Sequence, residues 1–240
     1  MKFSHPLVPG ILVQRYKRFL ADVTLADGSS ITASCPNTGS MLGLTAPGSR
    51  VWLSESDSPA RKYRHTWEMI EADLGQGPHL VGINSGRPNA LVTEAILDGR
   101  IPELAGYVNL KREVKYGINS RIDVLLSGGR EDRNCYVEVK NVHLMRSAGE
   151  AEFPDSKTER GAKHLRELSS MVDEGHRAVM VFLVQRSDAE KFSLAADIDP
   201  AYAAAFQTAA ASGVEMLCYR CHLSPTEIRV DKRLEIADLT

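Results

Sequence analysis

The residue pattern of the chain changes once, at the breaker-rich segment Gly75-Gln76-Gly77-Pro78. Before this segment, short apolar runs are separated by turn sequences, and no helix of any length is evident. After it, strand-like runs alternate with stretches of helical spacing, which is typical of an α/β domain. A chain of 240 residues is long enough for two cores. We therefore predict two domains, residues 1–80 and residues 81–240.

Four candidate strands in the first domain lie at a spacing that favours a small β-barrel. They are Gly10–Val13, Phe19–Leu25, Ser30–Cys35 and Arg50–Glu55. The net charge of the chain is −2 and by itself indicates no class of partner. Residues 1–66, however, hold eight Lys/Arg against four Asp/Glu, and residues 187–240 hold five against nine. A basic first domain could face phosphates, and ordinary surface scatter is the equal alternative.

The second domain is predicted to contain three helices and four strands. The helices are Asn89–Leu97, Ser156–Glu174 and Pro200–Ser212, and the strands are Ser120–Leu126, Asn134–Val142, Ala178–Gln185 and Val214–His222. The first two strands are joined by a turn over residues 127–132. Ser156 and Glu159 have the spacing of a capping box, which places the start of the second helix at Ser156.

The segment Glu138-Val139-Lys140 carries the chemistry, because residues two apart in a strand share a face. If the two flanking strands fold symmetrically about the turn, positions whose numbers sum to 261 face each other, and Asp123 lies opposite Glu138. Two carboxylates on one face repel unless a cation neutralises them, and a hard divalent ion does so with oxygen ligands. Lys140 would hold and polarise a water on that ion. These groups together can hydrolyse a phosphodiester.

An E-x-K tripeptide alone is a weak signal, since about one is expected by chance in a chain of this size. A second one occurs here, at Glu113-Val114-Lys115. The alternative interpretation of residues 138–140 is a surface hairpin with a Glu–Lys pair in water. The following helix shifts the balance, because Arg160, Lys163, His164 and Glu167 recur on one face opposite an apolar stripe. We expect this face to contact phosphates, and a solvated charged face is the alternative.

Several of these segments resemble the sugar fermentation stimulation protein A (SfsA) family, in order and across nearly the whole chain. The matching stretches are Pro36-Asn37-Thr38-Gly39-Ser40-Met41, Gly82-Ile83-Asn84-Ser85 leading to Pro88-Asn89, Arg112-Glu113-Val114-Lys115-Tyr116-Gly117, Asn119-Ser120-Arg121-Ile122-Asp123, Tyr136-Val137-Glu138-Val139-Lys140-Asn141-Val142, Phe153-Pro154-Asp155-Ser156 and Arg160-Gly161-Ala162-Lys163-His164-Leu165. The last four stretches are the most specific.

This resemblance implies an N-terminal OB-like β-barrel followed by a PD-(D/E)xK nuclease-like α/β domain. It also implies nucleic-acid binding, described for the family as a regulatory role in sugar metabolism. The nuclease pattern maps its strand acid onto Asp123 and its E-x-K onto Glu138 and Lys140. The earlier helix acid maps onto Glu94, so that Asp123, Glu138 and Glu94 would hold the metal, and Glu113 is the rival for the third position.

We therefore expect a Mg²⁺- or Mn²⁺-dependent nuclease that binds nucleic acid, DNA rather than RNA, through Arg160, Lys163, His164 and Arg121. The alternative is a DNA-binding regulator of sugar metabolism whose nuclease-like core is catalytically silent. Four cysteines without regular spacing predict no disulfide framework and a reducing, cytoplasmic compartment. No apolar run reaches the ~18 residues of a membrane span. The sequence leaves a homodimer open.

Overall fold

Turn residues divide the first part of the chain into six strands. They are β1 (Val8–Tyr16), β2 (Leu20–Leu25), β3 (Ser30–Ser34), β4 (Arg50–Glu55), β5 (His65–Asp73) and β6 (Pro78–Gly82). The computed structural model describes residues 1–117, 120–129 and 133–237. The strand order is β3-β2-β1-β4-β5-β6, and β3 also pairs with β5, so five strands close into a barrel. The predicted barrel is confirmed, and its sheet extends through β6 to Gly82.

Strand β5 was not predicted from the sequence, because a charged residue interrupts the apolar pattern of this segment. Glu68 lies within β5 and is wholly buried. Arg87 donates to its carboxylate from 2.6 Å, and Ser54 and Asn84 also donate to it. A buried charge persists when it is paired and hydrogen-bonded in this way. The network joins the barrel to the start of the second part of the chain.

The second part contains ten strands and three α-helices within the described residues. The strands are β7 (Asn109–Tyr116), β8 (Ser120–Ser127), β9 (Cys135–Val142), β10 (Leu144–Ser147), β11 (Glu150–Phe153), β12 (Arg177–Val184), β13 (Lys191–Leu194), β14 (Glu215–Leu223), β15 (Ile228–Arg233) and β16 (Glu235–Ile236). The helices are α1 (Pro88–Leu97), α2 (Glu159–Asp173) and α3 (Pro200–Ala211). The predicted mixed α/β character is confirmed. The turn predicted over residues 127–132 lies partly outside the described residues, at 130–132, as does Asn119.

The larger sheet of this part has the order β15-β14-β12-β9-β8-β7. Strands β9, β12 and β14 are parallel, whereas β8, β7 and β15 pair antiparallel. Helix α1 packs against β8, β9 and β15, and its apolar residues share a core with one face of the sheet. Helices α2 and α3 pack on each other, and their buried residues share the core of the other face. A smaller sheet, β10-β11-β13-β16, lies alongside.

The cap of helix α2 lies two residues later than the capping-box prediction. Thr158, not Ser156, is the cap, since its hydroxyl accepts the Gly161 N–H at 3.0 Å. The Thr158 N–H in turn donates to Asp199 at 2.7 Å, and Asp199 caps α3. A shared cap of this kind depends on tertiary contact, which the local sequence does not reveal. None of the described helices is long and apolar enough to cross a membrane.

Candidate active site

The pairing of β8 with β9 brings the central acids together. Val124 pairs with Val137, Leu125 with Tyr136 and Leu126 with Cys135, which is the predicted register with positions summing to 261. The described ladder does not continue to Asp123. Instead, the Asp123 carboxylate accepts the backbone N–H of Val139 at 2.7 Å, so a side chain replaces a strand–strand hydrogen bond there. The backbone pairing of β8 with β9 is therefore interrupted at the positions of Asp123 and Glu138.

Asp123 is held between two donors. Its Oδ2 accepts from the Val139 N–H, and its Oδ1 accepts from Asn89 Nδ2 at 2.6 Å. Burial, followed by the charge of Glu138, raises the pKa of Asp123 from 3.8 to about 6. The two hydrogen bonds and Lys140 oppose this rise without cancelling it. The structure thus contains a carboxyl whose ionised form lacks a sufficient counter-charge.

Glu138 is almost completely buried, and its two oxygens differ. Oε1 accepts from Lys140 Nζ at 2.7 Å and forms a short contact with His164 Nδ1. Oε2 is buried with no hydrogen-bond partner. Burial pushes the pKa of Glu138 upward, but the bonds from His164 and Lys140 outweigh it and hold the pKa below its usual value. Glu138 is therefore the ionised member of the pair and has one oxygen available.

His164 is part of this centre. The sequence predicted that it would lie on an exposed, phosphate-contacting face, but the structure buries it. Only 5% of the residue is exposed. Arg160 Nε donates to His164 Nε2 at 3.3 Å, which leaves the ring proton on Nδ1, where it faces Glu138. Lys140 Nζ lies 3.2 Å from the same Nδ1. The predicted helical spacing of these residues is correct, but helix α2 is rotated so that His164, in the middle of the charged face, points toward the sheet.

Glu113 lies opposite Asp123 on a distorted strand. Its φ is +54°, a left-handed value that is rare for a residue with a side chain. The β7–β8 register passes from Arg112–Val124 to Val114–Ile122, so Glu113 lies opposite Asp123. Asn89 Nδ2, which bonds Asp123, also donates to Glu113 Oε1 at 3.2 Å. Strained backbone of this kind concentrates at functional sites.

Glu94, the first choice for the third acid, has a different partner. Its carboxylate pairs with the amino group of Met1, and the residue is partly exposed on α1. None of its described contacts involves Asp123 or Glu138. The helix instead contributes Asn89, one residue into α1, which sequence reasoning did not identify as a site residue. The stretch Pro88-Asn89 was a signal for it, but an amide carries no charge that would single it out.

Exposed cations surround the centre on two sides. Lys115 and Arg121 are directly opposite each other on β7 and β8, and both are exposed. They line a cavity of about 400 Å³ together with Tyr116, Gly117 and Ser120. Like charges directly opposite in a sheet are destabilising unless an anion lies between them.

On α2, Arg160 and Lys163 lie at the solvent side of the same turn that buries His164. Lys163 Nζ is 3.6 Å from Glu167 Oε1. Two of the three predicted cations of this helix are therefore placed where a phosphate could reach them. The third, His164, is not.

The barrel carries a basic hairpin tip between β1 and β2. Lys17 and Arg18 both have positive φ values, +49° and +66°, and both side chains are exposed. The next residue, Phe19, is 52% exposed. Arg15 fixes the base of the tip, since its NH2 group donates to the carbonyls of Asn37 and Gly39 at 2.8 and 2.9 Å. The tip combines two cations with an aromatic face.

A polar chain connects the barrel to the site strand. Asp155, after β11, accepts hydrogen bonds from the Met41 N–H and the Ser40 hydroxyl, both at 3.1 Å. His143 Nε2 lies 3.3 Å from the same oxygen. Despite burial, the bond and charge of His143 and these donors lower the pKa of Asp155 to about 2. On β9, Asn141 is bonded by Gln185, which also donates to the Asn84 carbonyl at the end of the barrel.

Comparison with known proteins places both parts of the chain in one family. Residues 13–83 match the SfsA N-terminal OB domain, and residues 86–227 match the Sugar fermentation stimulation protein RE domain. A "Sugar fermentation stimulation protein homolog" of Agrobacterium fabrum is 61% identical over 96% of this chain and 94% of its own length. A homolog of the same description from Brucella anthropi is 59% identical over 100% of this chain and 98% of its length. The solved SfsA of Pyrococcus furiosus, described in complex with Ca²⁺, has a TM-score of 0.86 and 28% identity, covering 98% of this chain and 97% of that one.

Proposed function

This chain belongs to the sugar fermentation stimulation protein (SfsA) family, and we propose that it binds nucleic acid and carries a divalent-metal-dependent phosphodiesterase site. The observation that carries the proposal is the buried, unpartnered Oε2 of Glu138 near Asp123, a second acid that is partly buried. Two such acids cost stability unless a cation neutralises them. A catalytically silent scaffold has no evident need for this arrangement.

The donor set fits a hard cation such as Mg²⁺ or Mn²⁺. The available atoms are carboxylate oxygens, which suit these ions. Within the described residues, no three His, Cys, Asp or Glu side chains form a complete metal-binding group. Mg²⁺ usually binds through one or two carboxylates and takes its other ligands from water and phosphate, so an incomplete protein set is compatible with it. The Pyrococcus furiosus relative is described in complex with Ca²⁺, and because Ca²⁺ is also a hard cation that prefers oxygen ligands, this supports the same class of ion.

We propose Glu113 in place of Glu94 as the third acid. Asn89 bonds both Glu113 and Asp123, whereas Glu94 is paired with the amino terminus. Glu113 has a left-handed backbone and lies opposite Asp123 in the register of β7 and β8. Such strain persists only where the surrounding structure enforces it.

When bound, the divalent ion would supply Lewis-acid stabilisation and a lowered water pKa. The residues supply position and proton control. Lys140 donates to Glu138 and only 13% of its side chain is exposed, so its ammonium group is fixed where an attacking water and a charged phosphate would lie. His164 orients Glu138, and Arg160 sets the tautomer of His164. Arg160 is thus a positioning residue as well as a candidate phosphate contact.

The nucleic acid is proposed to be DNA, bound through its backbone. Lys115 and Arg121 on one side of the acids and Arg160 and Lys163 on the other would contact flanking phosphates. The barrel adds the exposed cations of its hairpin tip. Contacts of this kind carry affinity but little sequence preference.

The second candidate is a DNA-binding regulator with a silent core. The description "sugar fermentation stimulation" shared by the relatives favours it. It uses the same cations and leaves the acids without a role. The two proposals agree on binding and differ only on cleavage.

Incubation of the full chain with labelled DNA and Mg²⁺ or Mn²⁺ separates them. We expect cleavage that stops with EDTA and with Asp123→Ala, and that persists in Asp57→Ala, which removes an exposed acid of the barrel. Binding without cleavage under any of these ions would support the regulator. Cleavage that survives Asp123→Ala would place the chemistry elsewhere.

A further inference from the structure

Buried polar atoms without hydrogen-bond partners gather around Glu138. In the part of the chain that the structure describes, nine buried side-chain atoms lack a partner. Five of the nine belong to Glu138, Glu167, Tyr116 and Tyr202. Folded proteins leave only a few such atoms per hundred residues, and each unsatisfied one is destabilising. The unsatisfied groups of Glu138, Glu167 and Tyr116 therefore need a partner other than the described side chains.

Glu167 contributes two of the five atoms. It lies on α2, one turn after His164, and both of its carboxylate oxygens are buried. The carboxylate lies against Gly117, where a Cβ atom would come within 3.3 Å of Oε1. Its described ion pair is with Lys163 on the same helix. Lys163 Nζ lies 3.6 Å from Glu167 Oε1, and 45% of the Lys163 side chain is exposed. A contact that long and exposed leaves much of the charge of Glu167 unneutralised.

Tyr116 adjoins Gly117, the residue against which the Glu167 carboxylate lies. This residue precedes Gly117 on β7, is 8% exposed, and has a hydroxyl without a partner. Burial raises its pKa, and the charges of Glu138, Glu167 and Asp123 raise it further. The phenol therefore stays protonated. Its buried, unpartnered hydroxyl is a group that a bound water or ion would satisfy.

Water alone does not account for these unpartnered atoms. It can satisfy the Tyr116 hydroxyl, but it cannot offset the charge of Glu167, whose carboxylate lies on α2 one turn after His164, the residue that contacts Glu138. We propose that Glu138 and Glu167, with the Tyr116 hydroxyl, form a second divalent-cation site next to that of Asp123. The inference rests on the proposed function because both sites share Glu138 Oε2. Two ions that share a carboxylate can stabilise the attacking and the leaving oxygen of one phosphodiester.

Counting bound Mn²⁺ tests the second site without reference to cleavage. Full-length chain is titrated with Mn²⁺ and followed by calorimetry and by the electron paramagnetic resonance signal of free ion. We expect two ions per chain in the wild type and one in Glu167→Gln, which keeps the shape of the side chain and removes its charge. Glu174→Gln removes an exposed carboxylate at the end of the same helix and should still bind two. Asp123→Asn should weaken the other ion.

Folding is controlled in the same samples. In EDTA, Glu167→Gln should unfold no more easily than the wild type, because it loses a buried charge and no hydrogen bond. If it does unfold more easily, Tyr116→Phe takes its place, since it keeps the ring and deletes only the hydroxyl. Tyr116→Phe should weaken the second ion several-fold.

One ion per chain in both the wild type and Glu167→Gln, lost on Asp123→Asn, would overturn the second site and leave the proposed function intact. One ion that is lost in Glu167→Gln but kept in Asp123→Asn would overturn the proposed site at Asp123 and leave the site at Glu167 intact. Two ions in the wild type and still two in Glu167→Gln would also overturn the inference.

Discussion

Replacing Asp123 by asparagine should stabilise the metal-free protein at high pH and should not stabilise it at low pH. The pKa of Asp123 is raised from 3.8 to about 6 in the folded protein. A raised pKa means that folding favours the protonated acid. This contribution to stability is complete below pH 3.8 and is lost as the pH rises through about 6. At pH 8 the wild type therefore folds with a disfavoured charge, which the variant lacks.

The size of the effect follows from two terms. A rise of about two pKa units corresponds to ~3 kcal/mol at pH 8, at roughly 1.4 kcal/mol per unit. Against this, Asn89 and the Val139 N–H both donate to Asp123, at 2.6 and 2.7 Å, and an amide can accept only one of them. The lost hydrogen bond costs ~1–2 kcal/mol. The variant should thus be ~1–2 kcal/mol more stable at pH 8, and no more stable than the wild type at pH 4.

Urea unfolding in EDTA, followed by circular dichroism at both pH values, measures the difference. Asp57→Asn, an exposed acid in the barrel, is the control and should change stability little at either pH. Saturating Mn²⁺ at pH 8 should reverse the order, since an ion at 100 times its dissociation constant stabilises the wild type by ~2.7 kcal/mol. A variant destabilised by the same amount at pH 4 and pH 8 would show that the environment of Asp123 does not disfavour its charge.

Three further outcomes are expected. Lys140→Ala should retain Mn²⁺ binding and lose cleavage at least 100-fold, because it removes a fixed cation and no metal ligand; unchanged cleavage would contradict its role. Arg160→Ala with Lys163→Ala should melt near the wild type but bind and cleave DNA poorly, and binding within twofold of the wild type would mean that the face is merely solvated. Lys17→Ala with Arg18→Ala in the hairpin tip should weaken binding of DNA and lower the slope of log affinity against log salt by roughly 1–2.

Matched controls exist for both double variants. Arg166→Ala removes an exposed cation from the same helix as Arg160 and Lys163. Lys62→Ala removes an exposed cation elsewhere on the barrel, where it lies over the Tyr63 ring. If either control weakens binding as much as the paired test, net charge rather than position is responsible.

The part of the site formed by two neighbouring strands could be predicted from the sequence, and the residues that complete the site could not. Alternation along two strands and one tight turn were enough to place Asp123 opposite Glu138, and the register of β8 with β9 agrees. The strand–helix succession was also enough for the fold class. These features depend on residues close in the chain, so local pattern describes them.

The remainder of the site depends on tertiary contacts that reverse ordinary expectations. Charged residues at helix spacing usually face water, yet α2 buries His164 because Glu138 provides a partner for it. Glu113 takes a backbone conformation that strand propensity disfavours, and its distance from Asn89 in sequence hides their contact. Both exceptions lie at the candidate site, where local rules are most often broken.

Strand β7 ends the larger sheet, and one side of its backbone has no partner strand within the described residues. Such an edge is a template on which a second copy of the chain could add a strand. Lys111, Arg112 and Lys115 are all exposed along β7, and they would repel a second copy that brought the same charges. Neutralising them should therefore promote self-association, most clearly in low salt, where the repulsion in the unaltered protein is not screened.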